Sequence, residues 1–524
     1  MKRLITLSLG LLLGAGLGML RAQTTVTKQV LIANGGQFDP NPGYPANPAN
    51  VQIYDPSDGS YTPLDTIGTT SVQDLLIEGS EAFLAAGDSV MRYDLATGTR
   101  LAAEAFGGES TITLGLTDSL LLVGNFFLPF GSTDPYPNNL RIFDRETLTL
   151  VDSVPALSRP VKSIAVDGDF AYVTQNFTSA SFSDSAGFMV KLNLSTLAVE
   201  DTIEVNQNDE DLGPLLRVDS LLFGLNGASN TITTFNLNTQ TATTDTANAD
   251  LMPGSYGSRY SFDANGDFYL VVDGDIAQYD LATRSLVQGG IVDTVISGFA
   301  LDTLNDRFYV TQTDFFSYTG GIIYDQQGTR LDTLLAGFAP EVIEVVYNTL
   351  PQASDLDVAL TADDSVFLAD LGVDPDPGAR LTLEIVDGPS QGTATVQGDS
   401  ILYRPAAGFV GSDSLSYAVT DEWGDTDTAV VSITVEVGTS VRLAAGQDFS
   451  LAPNPGHGYL SLRFEQPWSG EVQLLDLSGR VLRQQEVQQG TALRLDGLSA
   501  LPSGVYVLRG VGTSGNWQQR WIKQ

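Results

Sequence analysis

A single pattern of apolar and polar residues recurs seven times between residues 51 and 335. A short apolar strand ends in Asp or Asn, a turn follows, and a more polar strand comes after it, as in "VMRYDLATGTRLAAEAF". The residues that end these strands are Asp55, Asp94, Asp144, Asn193, Asn236, Asp280 and Asp325. Successive members lie 39, 50, 49, 43, 44 and 45 residues apart, and a nearly even period of this length indicates one repeated structural unit.

Each repeat contains more than this pair of strands. Another apolar segment precedes the pair, as in "FAYVTQN" and "FYLVVDG", and in six repeats a third segment comes before that one, as in "VKSIAVDG". Four short strands with turn residues between them are typical of a propeller blade, and we name them a to d from the axis outward.

The first repeat lacks a strand a, and a spare strand stands at the other end of the array. The segment "PEVIEVVYN", Pro340 to Asn348, follows the seventh strand d and has no b, c and d of its own. It would complete the first blade and close a ring, which protects the sheet edges. We therefore predict an all-β protein that begins with a seven-bladed β-propeller over residues 24–350. An open repeat array or two sandwiches would leave the period and the spare strand unexplained.

Two blade segments, "FAYVTQN" and "RFYVTQT", resemble the YVTN-type propellers of bacterial and archaeal surface-layer proteins. No tryptophan occurs before Trp423. This excludes the WD dipeptide, the tryptophan of the sialidase Asp box and the tryptophan-docking blades of quinoprotein dehydrogenases.

A second domain is predicted over residues 354–437, where strict alternation in "TAVVSITVEV" indicates a half-buried strand. Its motif residues are Tyr403, Pro405, Gly408, Phe409, Gly411, Asp413, Tyr417, Val419, Asp421 and Gly424. They resemble the cadherin-like bacterial Ig repeat, which implies an Ig-like β-sandwich that spaces or presents its neighbour. Residues 438–447 are predicted to be a linker.

The C-terminal residues 448–524 carry a third set of motifs. Its members are Pro453, Asn454, Pro455, Gly479, Arg480, Gly504 and Tyr506. They resemble the type A C-terminal sorting domain of the Bacteroidetes type IX secretion system. The resemblance implies a small β-sandwich, handling by the type IX machinery, and cleavage near or after the linker. It also implies a secreted or extracellular location, with attachment to the outer cell surface after the sorting domain is removed as a further option.

The N-terminus agrees with export. Lys2 and Arg3 precede an apolar run from Leu4 to Leu20, as in a secretory signal peptide. We predict a signal peptide over residues 1–23, with cleavage after Ala22 or Gln23. A membrane anchor fits less well because the run is short and rich in Gly. We expect no transmembrane anchor elsewhere and, because the chain has no cysteine, neither a lipidated Cys nor disulfides.

Charge limits the set of partners. The chain has 26 Lys and Arg against 63 Asp and Glu, for a net charge of -37. A surface this acidic repels nucleic acid and anionic membranes, so neither is expected as a partner.

The residues offer little catalytic chemistry. There is no cysteine, and His457, the single histidine, lies in the sorting region, which argues against thiol catalysis, a His base and His-ligated zinc. "GPSQG" at residues 388–392 matches a nucleophile-elbow pattern, but that elbow must open a helix, so we interpret it as a turn.

Asp263, Asn265 and Asp267 match the beginning of a calcium-binding loop. The position of the Gly does not fit that loop, so a hairpin turn is favoured. We predict no catalytic residue, no metal site and no cofactor, with calcium as a weak alternative. A carboxylate pair acting on a glycan stays open.

Loop length gives the best functional clue. The b–c connections of blades 1, 3, 4 and 7 are long and aromatic, and strand alternation brings all b–c loops to one face. These loops carry Phe38, Tyr44, Phe126, Phe127, Phe130, Tyr136, Phe177, Phe182, Phe315, Phe316 and Tyr318. Exposed rings beside acidic and amide groups suit sugars or a protein partner. Alternatively, the rings pack on one another and order the loops.

The sequence thus favours a secreted or cell-surface protein that binds or scaffolds, without enzymatic activity, and whose propeller face binds an extracellular glycan or surface protein. Two alternatives stay open: a carboxylate-based extracellular glycan hydrolase or lyase, and a structural surface-layer component. Fold alone does not choose among them.

Overall fold

The computed structural model describes residues 23–36, 47–69, 71–106, 110–126, 139–157, 160–175, 187–206, 214–226, 230–247, 251, 260–263, 265–272, 274–292, 296–313, 320–362, 364–436, 449–477, 479–512 and 515–523. Within these ranges, every regular element is a β-strand. The all-β prediction is therefore confirmed for the part of the chain that is described.

In the described part of the chain, seven four-stranded antiparallel sheets form the blades. Blade 1 consists of β1 (Thr25–Asn34), β2 (Ala49–Tyr54), β3 (Tyr61–Ile67) and, as strand a, β28 (Pro340–Thr349). Blade 2 consists of β4 (Asp74–Glu78), β5 (Glu81–Ala86), β6 (Ser89–Asp94) and β7 (Thr99–Ala105). Blade 3 consists of β8 (Ser110–Leu116), β9 (Leu120–Phe126), β10 (Leu140–Asp144) and β11 (Leu150–Ser153).

The remaining blades follow the same order. Blade 4 consists of β12 (Val161–Asp167), β13 (Phe170–Gln175), β14 (Gly187–Asn193) and β15 (Ala198–Asn206). Blade 5 consists of β16 (Leu215–Val218), β17 (Leu221–Asn226), β18 (Thr231–Asn236) and β19 (Thr241–Thr246). Blade 6 consists of β20 (Tyr260–Phe262), β21 (Phe268–Val272), β22 (Asp275–Asp280) and β23 (Ser285–Val292). Blade 7 consists of β24 (Gly298–Asp302), β25 (Arg307–Thr311), β26 (Gly321–Asp325) and β27 (Arg330–Leu334).

The ring closes as the sequence predicts. Strand β28 pairs with β1, with Val345 opposite Val30 and Ile343 opposite Ile32. It also contacts β24 of blade 7 and β4 of blade 2. The last strand of the propeller therefore completes the first blade.

The core of the propeller lies between neighbouring blades. Among the described residues, seven apolar clusters lie in the propeller, one at each blade boundary. In β1, Leu31 packs toward blade 2 and Ile32 packs toward blade 7. Because successive side chains of a strand point to opposite faces, each inner strand is apolar on both sides. This explains why strands a and b have nearly continuous apolar sequences.

The residues that mark the period close the c–d turns. Asp94 Oδ1 accepts a hydrogen bond from Thr97 N at 2.9 Å, and Asn236 Oδ1 accepts one from Thr239 N at 3.0 Å. Asp280 Oδ1 accepts from Ala282 N at 2.8 Å and Thr283 N at 2.9 Å. An Asp or Asn side chain that binds the backbone ahead of it stabilises a tight turn, which is why either residue serves at this position.

The outer edges of the blades are interrupted. In six blades the pairing of strands c and d contains a register shift, as between Arg92 and Tyr93 in blade 2. Strand d also carries exposed polar residues, as in β19, where every residue except Ala242 is exposed. Bulges and charges on an edge strand prevent it from pairing with other chains.

An Ig-like sandwich follows the propeller. Its strands are β29 (Gln352–Ala353), β30 (Leu356–Thr361), β31 (Val366–Leu368), β32 (Gly372–Val373), β33 (Thr382–Asp387), β34 (Gly392–Gln397), β35 (Ser400–Pro405), β36 (Gly411–Thr420) and β37 (Thr426–Glu436). The main sheets have the orders β30-β37-β36-β33 and β31-β35-β34. Tyr403 and Tyr417 lie in the shared core, and the Tyr403 hydroxyl donates to Asp413 Oδ2 at 2.9 Å.

The described residues of the C-terminal domain form five strands in one hydrogen-bonded sheet. They are β38 (Phe449–Ala452), β39 (Leu460–Leu475), β40 (Val481–Leu495), β41 (Gly504–Gly512) and β42 (Gly515–Lys523). Register shifts divide β39 between Arg463 and Gly470. Both halves pair with β40, and on the other edge the first half pairs with β38 and the second half with β41. Residues from both halves share one core around Trp468 and Trp521, so the sheet bends around its own apolar side.

Candidate functional site

Ten of the eleven aromatic residues predicted to bind a ligand lie outside the described residues. These are Phe38, Tyr44, Phe127, Phe130, Tyr136, Phe177, Phe182, Phe315, Phe316 and Tyr318. Phe126 is the last residue of β9, and its backbone lies opposite that of Ser110 in the sheet. Ala22 also lies outside the described residues, whereas Gln23 is described and exposed. The proposed ligand site and the signal peptide therefore stay predictions.

The strand ends from which the long loops depart define one face, which we call the b–c face. Strands b end there at residues such as Asn34, Asn226 and Thr311, each fully buried. We call the opposite side, which carries the a–b and c–d turns, the turn face. Consecutive antiparallel strands force this separation, because they reverse direction at each turn.

Buried polar groups hold the base of the b–c face. Asn34 Nδ2 donates to Asn50 Oδ1 at 3.0 Å, and Asn34 Oδ1 accepts from Gly337 N at 2.7 Å. The Ser297 hydroxyl donates to the Pro340 carbonyl at 2.8 Å. These bonds join the end of strand b to the start of strand c and link blade 7 to blade 1. Buried polar groups need such partners, so the loops leave a fixed platform.

A second cluster lies at the axis. Asp74, in strand a of blade 2, accepts hydrogen bonds from Leu114 N at 2.7 Å and Leu75 N at 2.9 Å. Burial nevertheless raises the pKa of Asp74 to about 6. Tyr260 of blade 6 is 37% exposed as a whole residue, but burial of its hydroxyl group and the charges of Asp74 and Glu344 raise the pKa of Tyr260. These three residues belong to innermost strands, so two carboxyl groups and one phenol lie around the axis of the propeller.

A third feature is a cleft of 420 Å³ between the turn face and the Ig-like domain. Arg145 of blade 3 pairs with Glu78 and, at 3.2 Å, with Glu81 of blade 2. Arg92 pairs with the same Glu81 and donates to the Glu146 carbonyl at 2.6 Å. The guanidinium groups and carboxylates neutralise one another and join two blades, so we interpret this network as structural.

The remaining candidate motifs close turns. Asp263 Oδ1 accepts from Asn265 N at 2.8 Å and from Asp267 N at 2.9 Å, as expected of a hairpin turn. Ser390 N and the Ser390 hydroxyl donate to Asp413 Oδ1, and no helix occurs in the described part of this domain. Burial alone would raise the pKa of Asp413, but hydrogen bonds from Tyr403, Gln391 and Ser390 lower it. No group of three or more His, Cys, Asp or Glu among the described residues could hold a metal ion.

The sorting residues fasten the two ends of the C-terminal domain together. Asn454 Nδ2 donates to the Arg520 carbonyl at 3.0 Å, and Asn454 Oδ1 accepts from Ile522 N at 2.9 Å. The Pro453 carbonyl accepts from Trp521 Nε1 at 3.0 Å. Asn454 therefore acts like a strand partner for β42, and Pro455 directly follows it.

The other sorting residues hold a hairpin and the core. Gly479 has a φ of 84° and turns the chain so that Arg480 Nε pairs with Asp476 at 3.0 Å. Left-handed backbone of this kind favours glycine. The Tyr506 hydroxyl donates to the Pro502 carbonyl at 2.7 Å, and Gly504 begins β41.

Sequence reasoning missed the residues that join the propeller to the Ig-like domain. Trp423 packs against the cluster between blades 1 and 2, and Asn348 is buried between two aspartates of the Ig-like domain. The Ig motif specifies no residue type at the position of Trp423. A bulky aromatic residue in a hairpin turn was the one sequence feature that could have indicated this contact.

Two family models match parts of the chain. Residues 348–434 match the bacterial Ig domain, and residues 450–524 match the secretion system C-terminal sorting domain. The sorting domain identifies the protein as a type IX secretion substrate that is located outside the cell or on its surface. No helix in the described part of the chain is long and apolar enough to cross a membrane.

Several solved structures are similar to the chain at low identity. A functionally unknown protein from Desulfotomaculum acetoxidans aligns with a TM-score of 0.44 and 11% identity, over 61% of this chain and 99% of its own. AztD from Citrobacter koseri aligns with a TM-score of 0.41 and 11% identity, over 62% of this chain and 98% of its own. A quinonprotein alcohol dehydrogenase-like protein from Bacteroides thetaiotaomicron aligns with a TM-score of 0.42 and 16% identity, over 60% of this chain and 77% of its own. A comparison with curated proteins finds no match.

Proposed function

We propose that this type IX substrate is a binding or scaffold protein whose propeller binds a glycan or a protein through the b–c face. The supporting observation is the position of the Ig-like domain. Its described contacts with the propeller involve residues of the turn face, such as Gly79 and Thr349. The b–c face therefore lies on the other side of the propeller.

The chemistry of the b–c loops suits such a ligand. Four long loops carry aromatic residues among Asp, Asn, Ser and Thr. Aromatic rings stack on the apolar faces of sugars, while carboxylates and amides bind hydroxyl groups. Loops on a rigid scaffold commonly carry function. The polar platform at Asn34 and Ser297 supports this arrangement.

We also propose a division of the chain into five parts. Residues 1–23 are a signal peptide, residues 24–350 the propeller, residues 354–437 the Ig-like domain, residues 438–447 the linker and residues 448–524 the sorting domain. We also propose that the blades are related to those of YVTN-type propellers.

A glycan-array screen of the chain without its signal peptide tests the binding function. We expect specific binding that is lost when Phe126, Phe127 and Tyr136 are replaced by Ala together. Phe367→Ala is the matched control, because Phe367 is an aromatic residue of the Ig-like domain that is 61% exposed. Binding that survives the triple replacement would overturn this assignment of the site, and an empty array would overturn the glycan version in favour of a protein partner. Repeating the screen with calcium and with chelator shows whether the acidic turns take part.

A carboxylate-based glycan hydrolase or lyase is the second candidate, favoured by Asp74. A carboxyl group with a pKa of about 6 can donate a proton near neutral pH. Release of shortened polysaccharide that stops with Asp74→Asn, at unchanged thermal stability, would support this function. Ordered self-assembly without a ligand would instead support a structural surface-layer role.

A further inference from the structure

One buried amide joins the propeller to the Ig-like domain. Asn348 of β28 is 1% exposed, and its Nδ2 donates to Asp421 Oδ2 and to Asp425 Oδ2, both at 2.8 Å. Both donor hydrogens are therefore used by carboxylates of the turn between β36 and β37. Lys28 of β1 pairs with the same Asp425. Charge-assisted bonds at a buried position resist separation, because pulling them apart exposes polar groups that lose their partners.

An aromatic side chain of the same turn extends the joint into the apolar core. Trp423 is partly buried and packs against the cluster shared by blades 1 and 2. The turn therefore contacts the propeller in two ways: Asp421 and Asp425 accept hydrogen bonds, and Trp423, which lies between them in sequence, makes the apolar contact. A large aromatic side chain at the centre of a contact commonly dominates its stability.

A second Ig-like loop contacts the propeller at a glycine. A Cβ atom on Gly79, in the a–b turn of blade 2, would lie 2.3 Å from the Pro377 carbonyl oxygen. Close by, Asp376 Oδ2 accepts a hydrogen bond from Thr349 N at 2.7 Å. Only a residue without a side chain allows this approach. Two loops of the Ig-like domain thus hold the propeller at separate points.

The connection between the domains is too short to act as a flexible linker. Strand β28 ends at Thr349 and β29 begins at Gln352. Between them, Leu350 N donates to the Thr24 carbonyl at 2.8 Å. Domains of one chain usually move relative to each other unless their interface is extensive, and here the connection itself is hydrogen-bonded to the first blade.

We propose that the Ig-like domain is a fixed pedestal on the turn face, and that it directs the b–c face away from the C-terminal attachment point. Strand β37 begins beside Asp425 and runs to Glu436, a span of roughly 35 Å for a strand of this length. The chain therefore leaves the Ig-like domain at the end far from the propeller. The fixed joint is independent of any ligand, whereas the use of the b–c face rests on the proposed function.

Distance measurements between two spin labels test the joint in the mature full-length chain. The chain has no cysteine, so Thr62→Cys and Thr395→Cys label the propeller and the Ig-like domain at exposed positions. Thr395→Cys with Thr428→Cys, both in the Ig-like domain, gives the width expected within a rigid body. We expect the interdomain distribution to be as narrow as this internal one.

Trp423→Ser and Gly79→Asn should each broaden the interdomain distribution severalfold and leave the internal distribution unchanged. Asn tolerates the positive φ of 57° at Gly79 and adds the side chain that the contact excludes. Phe367→Ser, at an exposed aromatic residue away from the joint, should change neither distribution. A broad interdomain distribution in the unsubstituted chain, or narrow ones in both joint variants, would overturn the pedestal. The measurement needs no ligand, so an empty glycan array leaves it unaffected.

Discussion

At the scale of single residues, seven Asp or Asn side chains set the repeat. Each lies at the end of strand c, where its oxygen binds backbone N–H groups of the following turn. The hydrogen bond from Thr283 N is the largest cause that lowers the pKa of Asp280. The folded protein therefore favours the ionised form. This contribution to stability is present above the ordinary pKa of Asp and is lost as the pH falls through the lowered value.

Replacing Asp280 tests this role. Asp280→Ala should lower the free energy of unfolding by about 1 kcal/mol, since it removes two turn-closing hydrogen bonds. Asp280→Asn should cost less, because Asn193 and Asn236 already serve at this position in blades 4 and 5. Urea unfolding measures both, with Asp118→Ala at an exposed position of blade 3 as the control. Equal losses for Ala and Asn at residue 280 would contradict the hydrogen-bonding explanation.

Asp374 gives a pH dependence of the opposite sign. Burial raises the pKa of Asp374 to about 6, and the charges of Asp376, Glu422 and Asp421 add to the effect. Because the folded value lies above the ordinary 3.8, folding favours the protonated form. Ionisation of Asp374 therefore destabilises the folded state as the pH rises from about 4 through about 6.

Asp374→Asn should remove this penalty. We expect a higher midpoint of thermal unfolding at pH 7 and no change at pH 4. The gain should be at most about 1 kcal/mol, because solvent screens a partly exposed charge. Asp399→Asn, at an exposed hairpin position of the same domain, should show no such difference. A stabilisation that persists unchanged at pH 4 would mean that charge is not its cause.

At the scale of elements, ring closure depends on β28. This strand is separated from β1 by most of the propeller in sequence, yet the two are paired along nearly their whole length. Ile343 is fully buried between blades 1 and 7. The free energy of this closing contact must offset the entropy of joining distant segments.

Ile343→Ala should therefore destabilise the propeller by about 2–5 kcal/mol, as is typical of large-to-small replacements in a core. Leu331→Ala is the matched control, because Leu331 lies on the outer strand β27 and is 50% exposed. Its effect should stay within about 0.5 kcal/mol. Denaturant unfolding followed by tyrosine fluorescence distinguishes them, and similar losses for both variants would argue against a closed ring.

The same elements show why the blades could be predicted and the joint could not. Each blade has a local sequence pattern, in which apolar strands end at residues such as Asp94 or Asn236. The spare strand that begins at Pro340 predicts the closure of the ring. The joint depends on pairs such as Asn348 with Asp421, which are 73 residues apart and occur once. A contact without repetition and without local pattern leaves little trace in one sequence. The predicted ligand residues, from Phe38 to Tyr318, stay predictions for a different reason, because nearly all of them lie outside the described residues.

At the scale of the whole molecule, the two faces of the propeller have different surroundings. The turn face of blades 1 and 2 meets the Ig-like domain, and the chain continues from there to the sorting domain. The exterior is acidic, with a net charge of -37. An acidic protein surface and an anionic membrane repel each other. This repulsion also favours a position of the propeller away from the cell surface.

Labelling on intact cells should therefore distinguish the two faces. Thr239 lies in the c–d turn of blade 5 on the turn face, and Thr246 lies at the opposite end of β19. Both are exposed and belong to a blade that is far from the joint in the ring. In a host that secretes and attaches the protein, Thr246→Cys should react several-fold faster than Thr239→Cys with a bulky maleimide reagent. The purified proteins should react at equal rates, which controls for local reactivity. Equal rates on cells as well, or faster labelling at residue 239, would show that the b–c face is not the side presented to the medium.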